Sequence, residues 1–298
     1  MIRAIILFEG CLMSPKSHGM EVRIKFIDQL LAFHGQATRA DLVRFFGVGT
    51  ATASRAFSEY RRRYPGNIAY EIADRNYRAA STFIPAFEHD VHSALLLLAY
   101  GKDVRNVGAP LWSPPEIEQL TAPLSPESIA PLTRALVAGL ASEIEYASAS
   151  SGVASRQVQP HAIFVAGGAW YLRAYDSIRA DFRSFRLSRV ISAQAASVGF
   201  PEGLADMDAS WNTTITLTLA PHPYHPNPES LRRDLGLTDK PVKNVSVPQA
   251  LAGFTLIDLR VDSSTSGCLD PQQYPLRLMN RHELDDVASL KISPGWSG

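Results

Sequence analysis

Apolar and polar side chains alternate along residues 169–175 and again along 182–190, with a polar turn at 176–180 between them. That period of two confines the stretch to an antiparallel hairpin. Trp170, Leu172 and Ala174 fall on one face of the first run, and Tyr171, Arg173 and Tyr175 on the other. In the second run Phe182, Ser184, Arg186 and Ser188 alternate with Arg183, Phe185, Leu187 and Arg189. The whole stretch carries five arginines beside its tyrosines, and neither run contains Asp or Glu. Guanidinium forks match phosphate, and aromatic faces match nucleobases. Taken alone, the same hairpin also reads as a solvated sheet face.

At 298 residues the chain suggests two or three domains, and 46% hydrophobic with 19% charged residues describes a globular protein. The formal net charge is zero but unevenly spread. Residues 1–85 hold 12 Lys/Arg against 7 Asp/Glu, and residues 86–298 hold 17 against 22. A basic front on an acidic remainder fits a nucleic-acid binder joined to something else. Only Cys11 and Cys268 are present, so a disulfide framework and a cysteine metal site are both excluded. A reducing cytoplasm is the natural setting. The apolar run 5–8 is too short for a signal segment or membrane span, and residues 1–19 read as a poorly ordered leader.

The front of the chain reads as three helices and a hairpin. Val22, Phe26, Ile27, Leu30, Leu31 and Phe33 recur at helical spacing over 20–34, and Gly35 ends that helix. Thr38, with Asp41 three residues on, predicts an N-cap close to a capping box for a helix ending at Phe46. Gly47-Val48-Gly49 is a tight turn, and 50–64 the next helix. Helix, glycine turn, helix is the helix-turn-helix pattern, with Leu42, Phe45, Val48, Ala53 and Phe57 as its small core. The third helix is the candidate recognition helix. Thr50, Thr52, Ser54 and Arg55 lie in its first turns and Arg61, Arg62 and Arg63 at its end. After Pro65-Gly66, strands at 68–72 and 77–80 around Asp74-Arg75-Asn76 make a wing, with Arg75 at its tip. Arg39, Thr50, Thr52, Ser54, Arg55, Arg61, Arg62 and Arg75 are the candidate DNA contacts, arginines on phosphate and the first turn on base edges.

Residues 87–100 read as a buried connecting helix, 107–131 as a proline-punctuated connector, and 129–140 as a helix entering the next domain. Strands at 143–149 and 156–164 precede the arginine hairpin, so a small, bent antiparallel sheet is expected. Strands at 211–220, 243–247 and 256–261, and a helix at 229–235, follow. His222 and His225 have metal-like spacing but sit in a proline loop without a third ligand. Asp285-Asp286 and Glu143/Glu145 form no positioned acid/base pair. No nucleophile elbow, phosphate loop or dinucleotide fingerprint occurs, so neither an enzyme nor a cofactor is indicated.

Trp170-Tyr171-Leu172 and the Phe-Arg-x-Phe-Arg-Leu-Ser-Arg-Val run resemble a WYL domain, the sensor module of many bacterial transcription regulators. Pro65-Gly66-Asn67-Ile68-Ala69-Tyr70, Tyr77, Phe83-Ile84-Pro85 and Pro160-His161 extend the likeness over nearly everything from Met20 onward. The whole resembles the CapW/BrxR-type WYL regulators of bacterial phage-defence operons. It departs from them at Tyr171, where they often carry His. The resemblance implies an α+β chain: a leader (1–19), a winged helix-turn-helix DNA-binding domain (20–85), a helical proline-rich connector (86–135), an Sm-like WYL sheet (136–205) and a WCX-like α/β dimerisation domain (206–298). It implies a homodimeric repressor on double-stranded operator DNA, an inverted repeat whose half-sites lie about 34 Å apart, and no membrane. It also implies a nucleotide or oligonucleotide effector, with Tyr146, Ser148, His161, Tyr171, Arg173, Tyr175, Arg183 and Arg186 as its candidate site. A nucleic-acid-binding accessory of a defence enzyme system and a ligand-independent DNA-binding structural protein remain the alternatives.

Overall fold

The computed structural model describes residues 15–72, 76–100, 123–196, 203–237 and 240–297. The chain divides into two compact units, one formed by the residues up to Phe164 with Trp170–Phe200, the other by Val165–Ala169 with the residues from Pro201. Of the expectations above, Arg75, residues 1–14 and the connector over 101–122 lie outside the described residues.

The first unit begins with α1 (Pro15–His34), β1 (Gln36–Ala37), α2 (Arg39–Phe46) and α3 (Thr50–Arg63). Thr38 and Asp41 form a complete capping box: the Thr38 hydroxyl accepts from the Asp41 amide at 3.2 Å, and the Asp41 carboxylate accepts from the Thr38 amide at 2.7 Å. Gly47, at φ 65°, closes α2 in the left-handed conformation that frees the turn into α3. β2 (Ile68–Glu71) and β3 (Asn76–Ala79) form the wing hairpin, and β1 adds a third strand in the order β1-β3-β2. That two-residue strand is too short to carry a periodic signal. Ile27, Leu31, Leu42, Ala53, Phe57, Tyr60 and Tyr77 fill the small core, with Phe57 stacked on Tyr77 at 4.1 Å.

A buried carboxylate organises this module. Asp28 is fully buried and accepts hydrogen bonds from the Tyr60 hydroxyl, from the amides of Ala86 and Phe87, and from the His89 ring at 2.7 Å. Asn67 makes a second clasp across the same seam. Its amide nitrogen donates to the Ile84 carbonyl at 2.7 Å, and its side-chain oxygen accepts from the Ile84 amide at 3.2 Å. Thus the two short motifs at 65–70 and 83–85 are halves of one joint.

α4 (Val91–Tyr100) and α5 (Pro126–Ala138) lead onto a five-stranded antiparallel sheet. Its strands are β4 (Ser142–Ser148), β5 (Gly152–Ala166), β6 (Ala169–Asp176), β7 (Asp181–Arg186) and β8 (Val190–Ala195), ordered β7-β6-β5-β4-β8. Ile144, Val158, Trp170, Leu172, Ala174 and Phe185 pack one sheet face against Phe33, Ala94, Leu95, Ile129 and Leu132. The winged helix and the sheet therefore share a core. The Trp170 indole nitrogen donates to His92 Nδ1 at 3.0 Å, fixing α4 to the sheet. Two expectations are corrected here. The run over 182–190 is interrupted by a 3-10 turn at Leu187–Arg189, which lets β8 return beside β4. The strands also extend to Asp176 and Asp181, so they do contain carboxylates. Buried Asp176 accepts from Arg156 at 2.8 Å.

The second unit holds α6 (Ala209–Asn212), β9 (Thr214–Pro221), α7 (Pro228–Asp234), β10 (Lys243–Pro248), α8 (Ala252–Asp258), β11 (Val261–Asp262) and β12 (Leu276–Leu278), with sheet order β10-β9-β12-β11. Leu217, Leu219, Leu256, Val261 and Leu290 form its core. Trp211 lies on α6, not on the strand expected from 211, because Asp208 caps that turn by accepting from the Trp211 amide. Residues 256–258 are helical rather than extended, so the expected strand shrinks to β11. Gly253 permits this packing, since a Cβ there would stand 2.0 Å from the Ser289 carbonyl. His222 is fully buried against Asp262 at 3.2 Å, and His225 accepts from the Asn227 amide. Among the described residues no group of three ligating side chains gathers, and no helix is long and apolar enough to cross a membrane.

Candidate functional site

α3 is held from behind by Ala53, Ala56, Phe57 and Tyr60, all buried. Its opposite face is open: Thr50, Ala51, Arg55, Ser58, Arg61 and Arg62 are exposed, while Thr52 and Ser54 are half-buried at its flanks. Arg55 reaches back to the Thr52 hydroxyl at 3.3 Å, so the two form one polar cluster near the start of the helix. Ser58 follows Arg55 by one turn on the same face. Sequence reasoning passed over it because it lies between the first turns and the terminal arginines, the two parts of the helix taken as contacts.

The arginines at the end of α3 are not equivalent. Glu59 binds Arg62 through both carboxylate oxygens, at 2.6 and 2.9 Å, and Arg63 at 2.7 Å; Arg63 also reaches Glu21 at 2.8 Å. Hydrogen bonds from Arg62 and Arg63 pull the Glu59 carboxyl down to about 2. Arg62 is thus engaged within the chain, while Arg61 makes no ion pair or hydrogen bond among the described residues. Arg39 is also engaged: it donates to the Tyr77 hydroxyl at 2.8 Å and its guanidinium lies 5.4 Å from that ring. It braces the wing against α2.

The eight residues expected on the sheet separate into groups. Tyr171, Arg173 and Tyr175 project from β6 on the face away from the core, and register places Arg186, Ser184 and Phe182 of β7 opposite them. Tyr171 stacks on Phe164 at 5.3 Å with a 12° interplanar angle, and Tyr175 meets Phe182 edge-on. His161 also packs edge-on to Phe182. Arg173 is 8% exposed. Arg186 Nε is buried and has no hydrogen-bond partner among the described residues. This face carries Arg173 and Arg186 on the same side as one stacked and two edge-on ring pairs, residue types that can bind a phosphate beside a base.

Three expected members stand elsewhere. Tyr146 belongs to the core, where its hydroxyl accepts from the Arg186 amide and its ring meets Phe185 edge-on. Ser148 closes the turn after β4 by accepting from the Ser150 and Ser151 amides. Arg183 pairs in register with Ala174, which puts it on the opposite face, and it binds Asp181 at 2.9 Å. Phe164 and Phe182 were the residues missed. Their aromatic neighbours across the strands, invisible in a linear reading, place them on the face.

A winged helix seated on an arginine- and tyrosine-faced sheet, followed by an α/β unit, is the architecture of a WYL-domain regulator. Residues 19–100 match the BrxR transcriptional regulator winged helix-turn-helix domain, 127–195 the WYL domain, and 214–284 the BrxR transcriptional regulator C-terminal dimerization domain. The chain is 30% identical to the DNA-binding transcriptional repressor CapW of Escherichia coli (strain KTE188), over 89% of this chain and 91% of that protein. It is 29% identical to CapW of Pseudomonas aeruginosa over 90% of this chain and 92% of the relative, and 26% identical to that of Stenotrophomonas maltophilia over 86% and 88%. The chain belongs to the CapW/BrxR-type family of WYL regulators. An alignment covering 98% of this chain and 52% of the proteasome accessory factor B/C (PafBC) of Arthrobacter aurescens, at 16% identity and a TM-score of 0.26, is too distant to bear on the site.

Proposed function

We propose that this protein is a homodimeric transcriptional repressor that reads an inverted-repeat operator with α3, and whose affinity for DNA is set by a phosphate-bearing nucleotide or oligonucleotide on the outer face of its sheet. The observation that carries the DNA-reading role is the exposed polar face of α3, with Arg55 and Thr52 at its base and the free Arg61 at its end. Repression and dimerisation rest on the family: its CapW members are described as DNA-binding repressors, and residues 214–284 match a dimerization domain. The unpartnered Arg186 Nε within an aromatic frame supports the effector. Control of a phage-defence operon follows the family resemblance, and the genes beside this one test it directly.

Binding of the upstream promoter fragment, followed by gel shift, tests the reading. Arg55→Ala is expected to lose sequence-specific binding, at a cost of about 1–3 kcal/mol if it reads a base. A short single-stranded oligonucleotide is expected to change promoter affinity in the wild type and not in Arg186→Ala. Unchanged binding by Arg55→Ala would overturn the DNA-reading assignment. An oligonucleotide effect absent from the wild type would overturn the effector assignment alone.

A further inference from the structure

A cavity of about 680 Å³ opens where the winged helix, α5 and the sheet meet. The winged helix contributes His34, Gln36 and Arg78; α5 contributes Arg134; the sheet contributes Ser142 and Gln194. The rest of the wall is apolar, including Pro131, Ala135, Leu140 and Ala193, and no lining residue is acidic.

Two of its polar groups have no partner among the described residues. Arg134 makes no ion pair or hydrogen bond among the described residues; its stem runs along Gly35, where a Cβ would stand 3.6 Å from Arg134 Cγ. Burial alone pulls the Arg134 guanidinium below its ordinary range, with no carboxylate to offset it. Ser142 is fully buried, and its Oγ has no hydrogen-bond partner. A half-buried guanidinium without a counter-ion and a buried hydroxyl without an acceptor both border this cavity, and each is costly unless something accepts from it. Glu143, the residue after Ser142 on β4, accepts from the Gln194 side-chain amide at 3.0 Å and makes no ion pair with Arg134.

We infer that this junction cavity binds a small phosphate-bearing molecule of mononucleotide size, its phosphate held by Arg134, Arg78 and Ser142 and its ring against the apolar wall. The site is separate from the outer sheet face and does not depend on that face binding anything. Because Gln36 and Arg78 belong to the wing sheet while Arg134 and Ser142 belong to α5 and β4, an occupant would bridge the DNA reader to the sheet. It would change DNA affinity only by the difference in its affinity for the DNA-bound and free forms.

Calorimetric titration of the full chain with 5′-AMP, and with adenosine as the phosphate-free control, tests this. AMP is expected to bind saturably and adenosine at least tenfold more weakly. Arg134→Gln is expected to weaken AMP at least tenfold, Arg134→Lys to restore part of the loss, and Arg186→Ala to leave it within twofold. Circular dichroism checks the fold of each variant, and Arg78→Gln, on the exposed opposite wall, gives the same readout should Arg134→Gln fail to fold. Absence of saturable AMP binding, equal binding by adenosine, or AMP affinity that survives loss of Arg134 or of Arg78 would overturn the site. Loss of AMP binding in Arg186→Ala would also overturn it, by placing the ligand on the outer face.

Discussion

Single residues in this chain divide between those that hold the DNA reader together and those left open for other molecules. Asp28 is the clearest of the first kind, a buried carboxylate with four donors from two segments, α3 and residues 86–89. Its hydrogen bond and burial also push the Tyr60 hydroxyl far above its ordinary range, so that tyrosine stays protonated as the donor. Asp28→Ala is expected to destabilise the protein by about 3–5 kcal/mol, read as a lowered urea midpoint. Glu59 restrains the far end of α3. Glu59→Gln is expected to release Arg62, Arg63 keeping its Glu21 partner, and so to raise non-specific DNA affinity and steepen the dependence of log K on log salt by about 0.9 for each phosphate gained. Fluorescence anisotropy across a salt series measures both. The sign of the pH effect follows from the depressed carboxyl: the clamp is complete above the ordinary value of 4.5 and is lost only as pH falls through about 2. The difference between wild type and Glu59→Gln in DNA affinity is therefore expected to stay constant from about pH 5 to 8.

At the scale of elements, most of the front module was legible in the sequence because its signals are local. The capping box at Thr38 and Asp41, the glycine turn and the apolar spacing of α3 each act within a few residues. Thr38→Ala is expected to cost about 0.5–2 kcal/mol by removing that cap, measured by thermal or urea unfolding. What the sequence concealed depends on partners far along the chain. The Asn67–Ile84 clasp spans 17 residues, and β1 exists only because β3 offers it an edge. The hairpin shows both sides. Its alternation correctly sets Arg183 among Phe185 and Leu187, on the core parity, yet grouping by charge had put it with Arg173 and Arg186. Likewise Tyr146 shares the residue type of the outer face but the parity of Ile144, and parity decides burial. Residues 256–258 of the strand expected over 256–261 are helical because a short apolar run fits either period, and the close approach that Gly253 allows is to residue 289, far along the chain.

At the scale of the whole molecule, the winged helix and the sheet share one core through α1, α4 and α5, so a ligand on the sheet has a packed route to the DNA reader. Trp170 is central to that route through its bond to His92. Trp170→Phe is expected to keep DNA binding, while costing about 0.5–1.5 kcal/mol of stability for the lost hydrogen bond to His92 and blunting the response to oligonucleotide. Unfolding and gel shift together check it. The most direct test of the account is a DNase footprint of the purified protein on its own promoter. Two symmetric protected half-sites, centred about 10–10.5 base pairs or a multiple apart and lost together in Arg55→Ala, are the expected result. A single asymmetric protected region, or a symmetric one untouched by Arg55→Ala, would contradict it.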